Sequence, residues 1–226
     1  MFYWKNISSD EMGIIVSKSP SISKGKRNIE KISIPGRSGF LTFDHGTYES
    51  FIISMECHFN KGVTSQDELL SWLDGFGKLS FDNVRQWDAV IVNSISLEKV
   101  IGLYRSFLIQ FECQPIAEEI LENIFVVTTS PANLNITGAT AQMEPILEIT
   151  GTGDVQVSIN NKTISLYGIE GKYILDSKWK VITDSIGLNA SSKMLYDFPV
   201  LLPGINEIEY LGNISEFKIR YTRKFL

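Results

Sequence analysis

The chain has 226 residues, 43% of them apolar and 21% charged, with 21 basic against 26 acidic side chains and a formal charge of −5. This is the composition of one large or two modest globular domains with a buried core. The mild negative charge leaves no basic stripe for nucleic-acid binding, no stretch approaches the ~18 apolar residues of a membrane helix, and the start, Met-Phe-Tyr-Trp-Lys-Asn, lacks the basic-then-apolar order of a secretory signal.

Residues 2–16 mix aromatic and apolar positions (Phe2, Tyr3, Trp4, Ile7, Ile14, Ile15, Val16) and read as an N-terminal arm or hairpin. Residues 17–28 are rich in Ser, Lys and Gly and read as a mobile loop. From Ile32 to Tyr48 two short strand fragments meet at a stiff turn: Pro35 fixes one backbone angle, and Gly36, Gly39 and Gly46 allow angles that other residues resist. The segment holds no nucleophile–base pair, so it reads as a part that fits against something. The strand that follows alternates, with Phe51, Ile53, Met55, Cys57 and Phe59 on one face and Ser50, Ser54, Glu56 and His58 on the other; Ile52 breaks the pattern.

A helix is expected over about 64–76, capped by Thr64 or Ser65 with Asp67 or Glu68 reaching back, its apolar face formed by Leu69, Trp72, Leu73 and Phe76, and stopped by Gly75 and Gly77. Strands resume at 78–81, 88–94 and 104–113, the last with Phe107, Ile109, Phe111 and Cys113 on one face. Its Ile109-Gln-Phe-Glu-Cys113 echoes Ile53-Ser-Met-Glu-Cys57, as two neighbouring strands lining one core would. Cys57 and Cys113 read as buried free thiols, the alternative being a disulfide.

Pro115 ends that strand; residues 116–125 suit a helical turn or an acidic connector, and the Thr/Ser/Asn/Gly/Ala-rich stretch 128–143 suggests a boundary between domains 1–135 and 140–226. Past Pro145 the pattern is purely β. Val155, Val157 and Ile159 alternate with polar residues, Asn160-Asn161 suits a hairpin turn, and Ile164 and Leu166 continue the partner strand. Short strands fit 173–176, 180–183, 205–210 and 216–221, the turn spacing of an antiparallel sandwich or barrel. The expected fold class is mainly β with one helix.

No constellation carries chemistry. His58 and Cys57 are strand neighbours and point to opposite faces, so with His45 they make no metal set. Gly151-Thr-Gly153 lacks the following helix of a phosphate cradle and reads as a strand bend. Glu118, Glu119 and Glu122 read as a solvated connector, and Asp176 and Asp184 as turn caps. Tyr167, Tyr173, Trp179 and Tyr196 fill a sandwich core on one reading and stack on sugar rings on the other. Neither a catalytic residue nor a cofactor or metal site is expected.

The run from Arg27 to Phe59, with Ile34-Pro-Gly-Arg37, Gly39, Gly46-Thr-Tyr48 and the strand to Cys57, resembles the N-terminal domain of the distal tail proteins (Dit) of long-tailed bacteriophages. Gly77-Lys-Leu-Ser-Phe81, the strand 107–113, Glu144-Pro-Ile-Leu-Glu-Ile-Thr-Gly-Thr-Gly153, Ile174-Leu-Asp-Ser177 and Phe198-Pro-Val-Leu-Leu-Pro-Gly-Ile-Asn206 follow in that family's order. The resemblance implies a ring-forming N-terminal domain and a galectin-like C-terminal sandwich. It also implies a homohexameric hub, single or stacked, between the tail tube protein and a tail-associated lysin or fibre base, assembled in the bacterial cytoplasm and carried in the virion. Longer members insert carbohydrate-binding modules, and no such insertion fits here. On this reading Pro35, Gly36, Arg37, Gly39, Gly46 and Tyr48 are the motif turn, and Phe2, Tyr3 and Trp4 are candidates either to cross to a neighbouring subunit or to pack on their own domain. Phe225 and Leu226 are expected to be buried, with the last residues returning to the N-terminal domain. The alternative function is a carbohydrate-binding module attaching the tail to the cell wall, with Tyr173 and Trp179 as glycan contacts.

Overall fold

The computed structural model describes residues 1–60, 64–95, 104–195 and 197–226; Tyr196 lies outside them. The chain divides into two compact units, 1–117 together with Leu226, and 118–225.

The first unit contains β1 (Tyr3–Trp4), β2 (Ile7–Ser8), β3 (Ile14–Val16), β4 (Arg27–Ser33), β5 (Phe40–Tyr48), β6 (Phe51–Asn60), α1 (Gln66–Trp72), β7 (Phe76–Ser80), β8 (Arg85–Ile91) and β9 (Tyr104–Cys113). All but β4 and β5 join one antiparallel sheet in the order β2-β1-β7-β8-β9-β6-β3. The alternation in β6 and β9 sets its core: Ile53, Met55, Cys57 and Phe59 pack inward with Phe107, Ile109, Phe111 and Cys113, and the two strands are direct neighbours, Met55 opposite Ile109. Cys57 lies opposite Phe107 and Cys113 opposite Phe51. Six ladder positions at ~3.3 Å each separate the two sulfurs too far for a disulfide. Both are free and buried, and burial pushes each thiol up to about 12.

Helix α1 starts on a capping box. Ser65 Oγ accepts from the Glu68 N–H at 3.2 Å, and the Glu68 carboxylate accepts from the Ser65 N–H at 3.0 Å. The Ser65 N–H, with the Thr64 and Ser65 hydroxyls that also donate to it, holds the Glu68 carboxyl below its usual range. The helix is shorter than its apolar spacing predicts. Gly75, at φ 72°, turns the chain out of it, so Phe76 opens β7 instead of completing the helical face.

The N-terminal arm packs on its own unit, one of the two arrangements the sequence allows. Strand β1 pairs with β7, Tyr3 opposite Ser80. Phe2 and Trp4 are fully buried and Tyr3 half-buried. Phe2 stacks on Trp72 at 5.9 Å, and Trp4 meets Phe111 edge-on at 5.0 Å. The two indoles bond reciprocally: Trp4 Nε1 donates to the Trp72 carbonyl at 3.0 Å, and Trp72 Nε1 to the Trp4 carbonyl at 3.1 Å. Two buried N–H groups are satisfied by this exchange, which would be lost if the arm left.

The second unit contains β10 (Ala117–Glu119), β11 (Asn123–Val126), β12 (Ala132–Ile136), β13 (Ile146–Ile159), β14 (Lys162–Asp176), β15 (Val181–Asp184), β16 (Met194–Leu195), β17 (Gly204–Tyr221) and β18 (Lys224–Phe225). Three long strands, β17-β13-β14, form its spine. One half is flanked by β11 and β15, the other by β12 and β16. The spine curls so that the halves close on one core, a galectin-like sandwich. Bulges make the corner. Between Gly153/Val155 of β13 and Ile169/Leu166 of β14 the latter carries one extra residue. Inward positions in β14 accordingly shift from Ile164 and Leu166 to Ile169, Tyr173 and Leu175. A Cβ on Gly151 would lie 2.5 Å from the Asn213 carbonyl oxygen, so the strand bend read at Gly151–Gly153 is a close backbone crossing. Asn160 and Asn161, at φ 51° and 64°, form the expected two-residue hairpin turn.

The units divide upstream of the 128–143 composition change, because β11 and β12 pair with β17. Residues 116–125 are not helical. They supply β10 and β11, and Glu119 is buried where it was expected to be solvated. Arg223 explains this: its Nε donates to Glu119 Oε2 at 2.9 Å, its Nη2 donates to Oε1, and Asn123 donates to Oε2 at 2.7 Å. The Arg223 bond holds the Glu119 carboxyl below its ordinary value of 4.5 against the opposing effect of burial. A depressed carboxyl stabilises the fold above its unfolded pKa, and that contribution is lost as pH falls through the folded value. Glu119→Gln is therefore expected to lower the stability of the second unit by about 1–3 kcal/mol at pH 7. The penalty should shrink in thermal melts taken progressively below pH 4.5. Phe225 and Leu226 are half-buried, less covered than expected.

Candidate assembly surface

Among the described residues, strands β4 and β5 pair only with each other. Such an isolated two-stranded ribbon is marginal in water by itself. Its turn is built as the sequence implies. The Arg37 N–H donates to the Ile34 carbonyl at 3.1 Å, with Pro35 and then Gly36 (φ 81°) in the central positions, a type II arrangement. Gly39 re-enters β5 at φ 88°. Gly46, at φ 71°, lies in the bulge where the register shifts between Arg27 and Ile29, and its N–H donates to Asp44 Oδ1 at 2.9 Å.

The root is polar and tied. Arg27 Nε donates to Asp44 Oδ2 at 2.7 Å and its Nη1 to the Tyr48 hydroxyl at 3.1 Å, while Lys24 lies 5.2 Å over the Tyr48 ring. Asp44 is held below the usual carboxylate range first by the Arg27 bond and then by the Gly46 N–H, and Arg27 is raised by Asp44. A solvent-facing pair of this kind orients the ribbon more than it stabilises it. Gly25 was not singled out by sequence; it looks like one more glycine in a polar loop. It is buried, and a Cβ there would lie 2.5 Å from the Glu49 carbonyl oxygen and 2.9 Å from Pro115 Cβ. Gly25→Ala is expected to shift the root and lower the melting of the first unit by about 1–3 kcal/mol.

Beyond the root the ribbon is apolar and uncovered. Ile29, Ile32, Ile34, Phe40, Leu41 and Phe43 are each between 38% and 55% exposed. Register places Ile32 opposite Leu41 and Glu30 opposite Phe43, so these share one face with His45, whose ring meets Phe43 edge-on at 5.0 Å. The other face holds Ile29 and Phe40 with Lys31, whose ammonium lies 4.7 Å over the Phe40 ring. Apolar residues on both faces of a ribbon that its own chain leaves bare mark an interaction surface.

The remaining sequence candidates do not gather into a site. Tyr173 is 5% exposed in the sandwich core, so it cannot offer its face to a glycan; Trp179, at 73%, stands on the β14–β15 turn, where Asp176 Oδ1 accepts from the Lys178 and Trp179 N–H groups at 2.9 and 3.0 Å. The two aromatics of the carbohydrate reading thus do not form one platform. Among the described residues no three His, Cys, Asp or Glu side chains are grouped to hold a metal ion, and no helix is long and apolar enough to cross a membrane.

No family model and no curated protein sequence matches the chain. Among solved structures, the crystal structure of the Dit protein (gp 19.1) of SPP1 matches with a TM-score of 0.82 at 15% sequence identity, over 100% of this chain and 98% of that one. That protein is described as a paradigm of the hub adsorption apparatus of phages infecting Gram-positive bacteria. The fold of this chain is that of the Dit hub protein along its whole length.

Proposed function

We propose that this chain is a structural subunit of a bacteriophage tail tip. Its copies close into a hexameric ring that joins the tail tube to the adhesion or lysin apparatus. The observation that carries this reading is the β4–β5 ribbon, an unsupported apolar surface on a chain with the fold of a hub protein. A ribbon that is marginal alone becomes ordered when a neighbour covers it, so assembly and ordering occur together. A head-to-tail contact closes into a ring when its rotation divides a full turn. The second unit then serves as the outward platform for the docked tail proteins. The subunit works through shape and catalyses nothing; it is made in the host cytoplasm and carried in the virion, a history that suits two unpaired thiols.

Negative-stain imaging of the purified chain, alone and mixed with tail tubes, tests this. Rings of six-fold symmetry that cap tube ends are expected. Single particles at every concentration that leave tube ends bare would refute it.

A further inference from the structure

The outer face of the first unit's sheet holds a second surface that the chain leaves open. Register aligns Phe76 (β7), Val90 (β8), Glu112 (β9) and Ile52 (β6) in one row across four strands. Phe76 is 82% exposed and Ile52 52%. The next row pairs Lys78 with Asp88 at 2.9 Å. An open groove of about 580 Å³ runs over these rows, from Phe76 and Lys78 to Asp88, Glu112 and Gln114. Glu112 accepts from the Ser50 hydroxyl at 2.5 Å and forms no ion pair among the described residues, Lys78 of the same groove being paired with Asp88.

The ribbon offers the complement. Residues 17–49 carry six basic and three acidic side chains, a net +3 that leaves −8 on the rest of the chain. Lys31 on its Phe40 face and Arg37 at its tip have no carboxylate partner among the described residues. Both surfaces stay exposed in the single chain, so the ribbon does not cover its own groove. We propose that the β4–β5 ribbon of one copy docks in the Phe76–Glu112 groove of the next, Phe40 against Phe76 and Val90, with Lys31 and Arg37 facing Glu112. The inference rests on the reading that copies associate, and names where they meet. Because donor and acceptor are different patches, the contact is heterologous. Each copy gives a ribbon on one side and takes one on the other, which suits a ring and not an isolated dimer. Complementary charge fixes the docking register more than it adds affinity.

The test mixes Phe40→Cys protein with Phe76→Cys protein in the presence of a short bismaleimide. The native thiols are buried and protonated and do not compete. Cross-linked dimers are expected from the mixture and not from either variant alone. Glu112→Lys is expected to weaken association at least about tenfold, and combining it with Lys31→Glu to restore most of it. If the wild type forms rings but the mixture gives no cross-link and Glu112→Lys assembles normally, the groove is not the acceptor, while the hub reading stands. A wild type that never associates overturns both.

Discussion

Trp4→Ala is expected to lower the stability of the first unit by about 4 kcal/mol, the cost of emptying a fully buried large aromatic site. The loss has three parts. The indole leaves a cavity beside Phe111; the Trp72 carbonyl loses its donor; and Trp72 Nε1 loses the rigid acceptor position that β1 provides. Against a typical domain stability of ~5–15 kcal/mol, one substitution removes a large fraction of the total. Calorimetry should show the transition of the first unit falling by ~15 °C or more, with that of the second unit unmoved. Tyr3→Ala, at a half-buried neighbouring position, should cost under ~1.5 kcal/mol. An arm that served only to reach another subunit would give the opposite pattern, with monomer melting unchanged by either substitution.

Ile29→Asp combined with Phe40→Asp, both on the face that carries Lys31, is expected to reduce self-association by more than about a hundredfold, because each places a carboxylate where an apolar contact must be desolvated. The same pair should leave thermal melting of the isolated chain within ~1 kcal/mol, since both side chains already face solvent. That dissociation of assembly from stability separates an interface residue from a core residue. Sedimentation across a concentration series, with melts on the same samples, reads both quantities.

What could be read in advance follows from how local each determinant is. Strands β6 and β9 were legible because one face is buried and the other solvated, which writes the period of two directly into the sequence. The Ser65–Glu68 cap and the Ile34–Arg37 turn are legible because each is closed by residues three positions apart. The role of the N-terminal arm was not, since its burial depends on an indole exchange between residues 68 positions apart. Residues 116–125 misled for the same reason: Glu119 is made tolerable in the interior by Arg223, 104 positions on. Strand β17 reads as two pieces in the sequence because its bulges interrupt the alternation within one continuous strand. The ribbon is the instructive case. Its turn chemistry is plain in Pro35, Gly36 and Gly39, yet Ile32, Leu41 and Phe43 alternate just as they would on a strand packed against its own core. Periodicity reports that a face must be covered, and is silent on whether the cover belongs to the same chain.

That uncovered ribbon is the contact on which the proposed assembly of copies depends. Light scattering on the intact chain and on a variant with residues 29–45 replaced by a short Gly-Ser linker measures it directly. The intact chain should give about six times the 25.4 kDa chain mass, and the excised variant a single chain mass with unchanged melting. Equal masses for the two proteins, whether both assembled or both single, would contradict it.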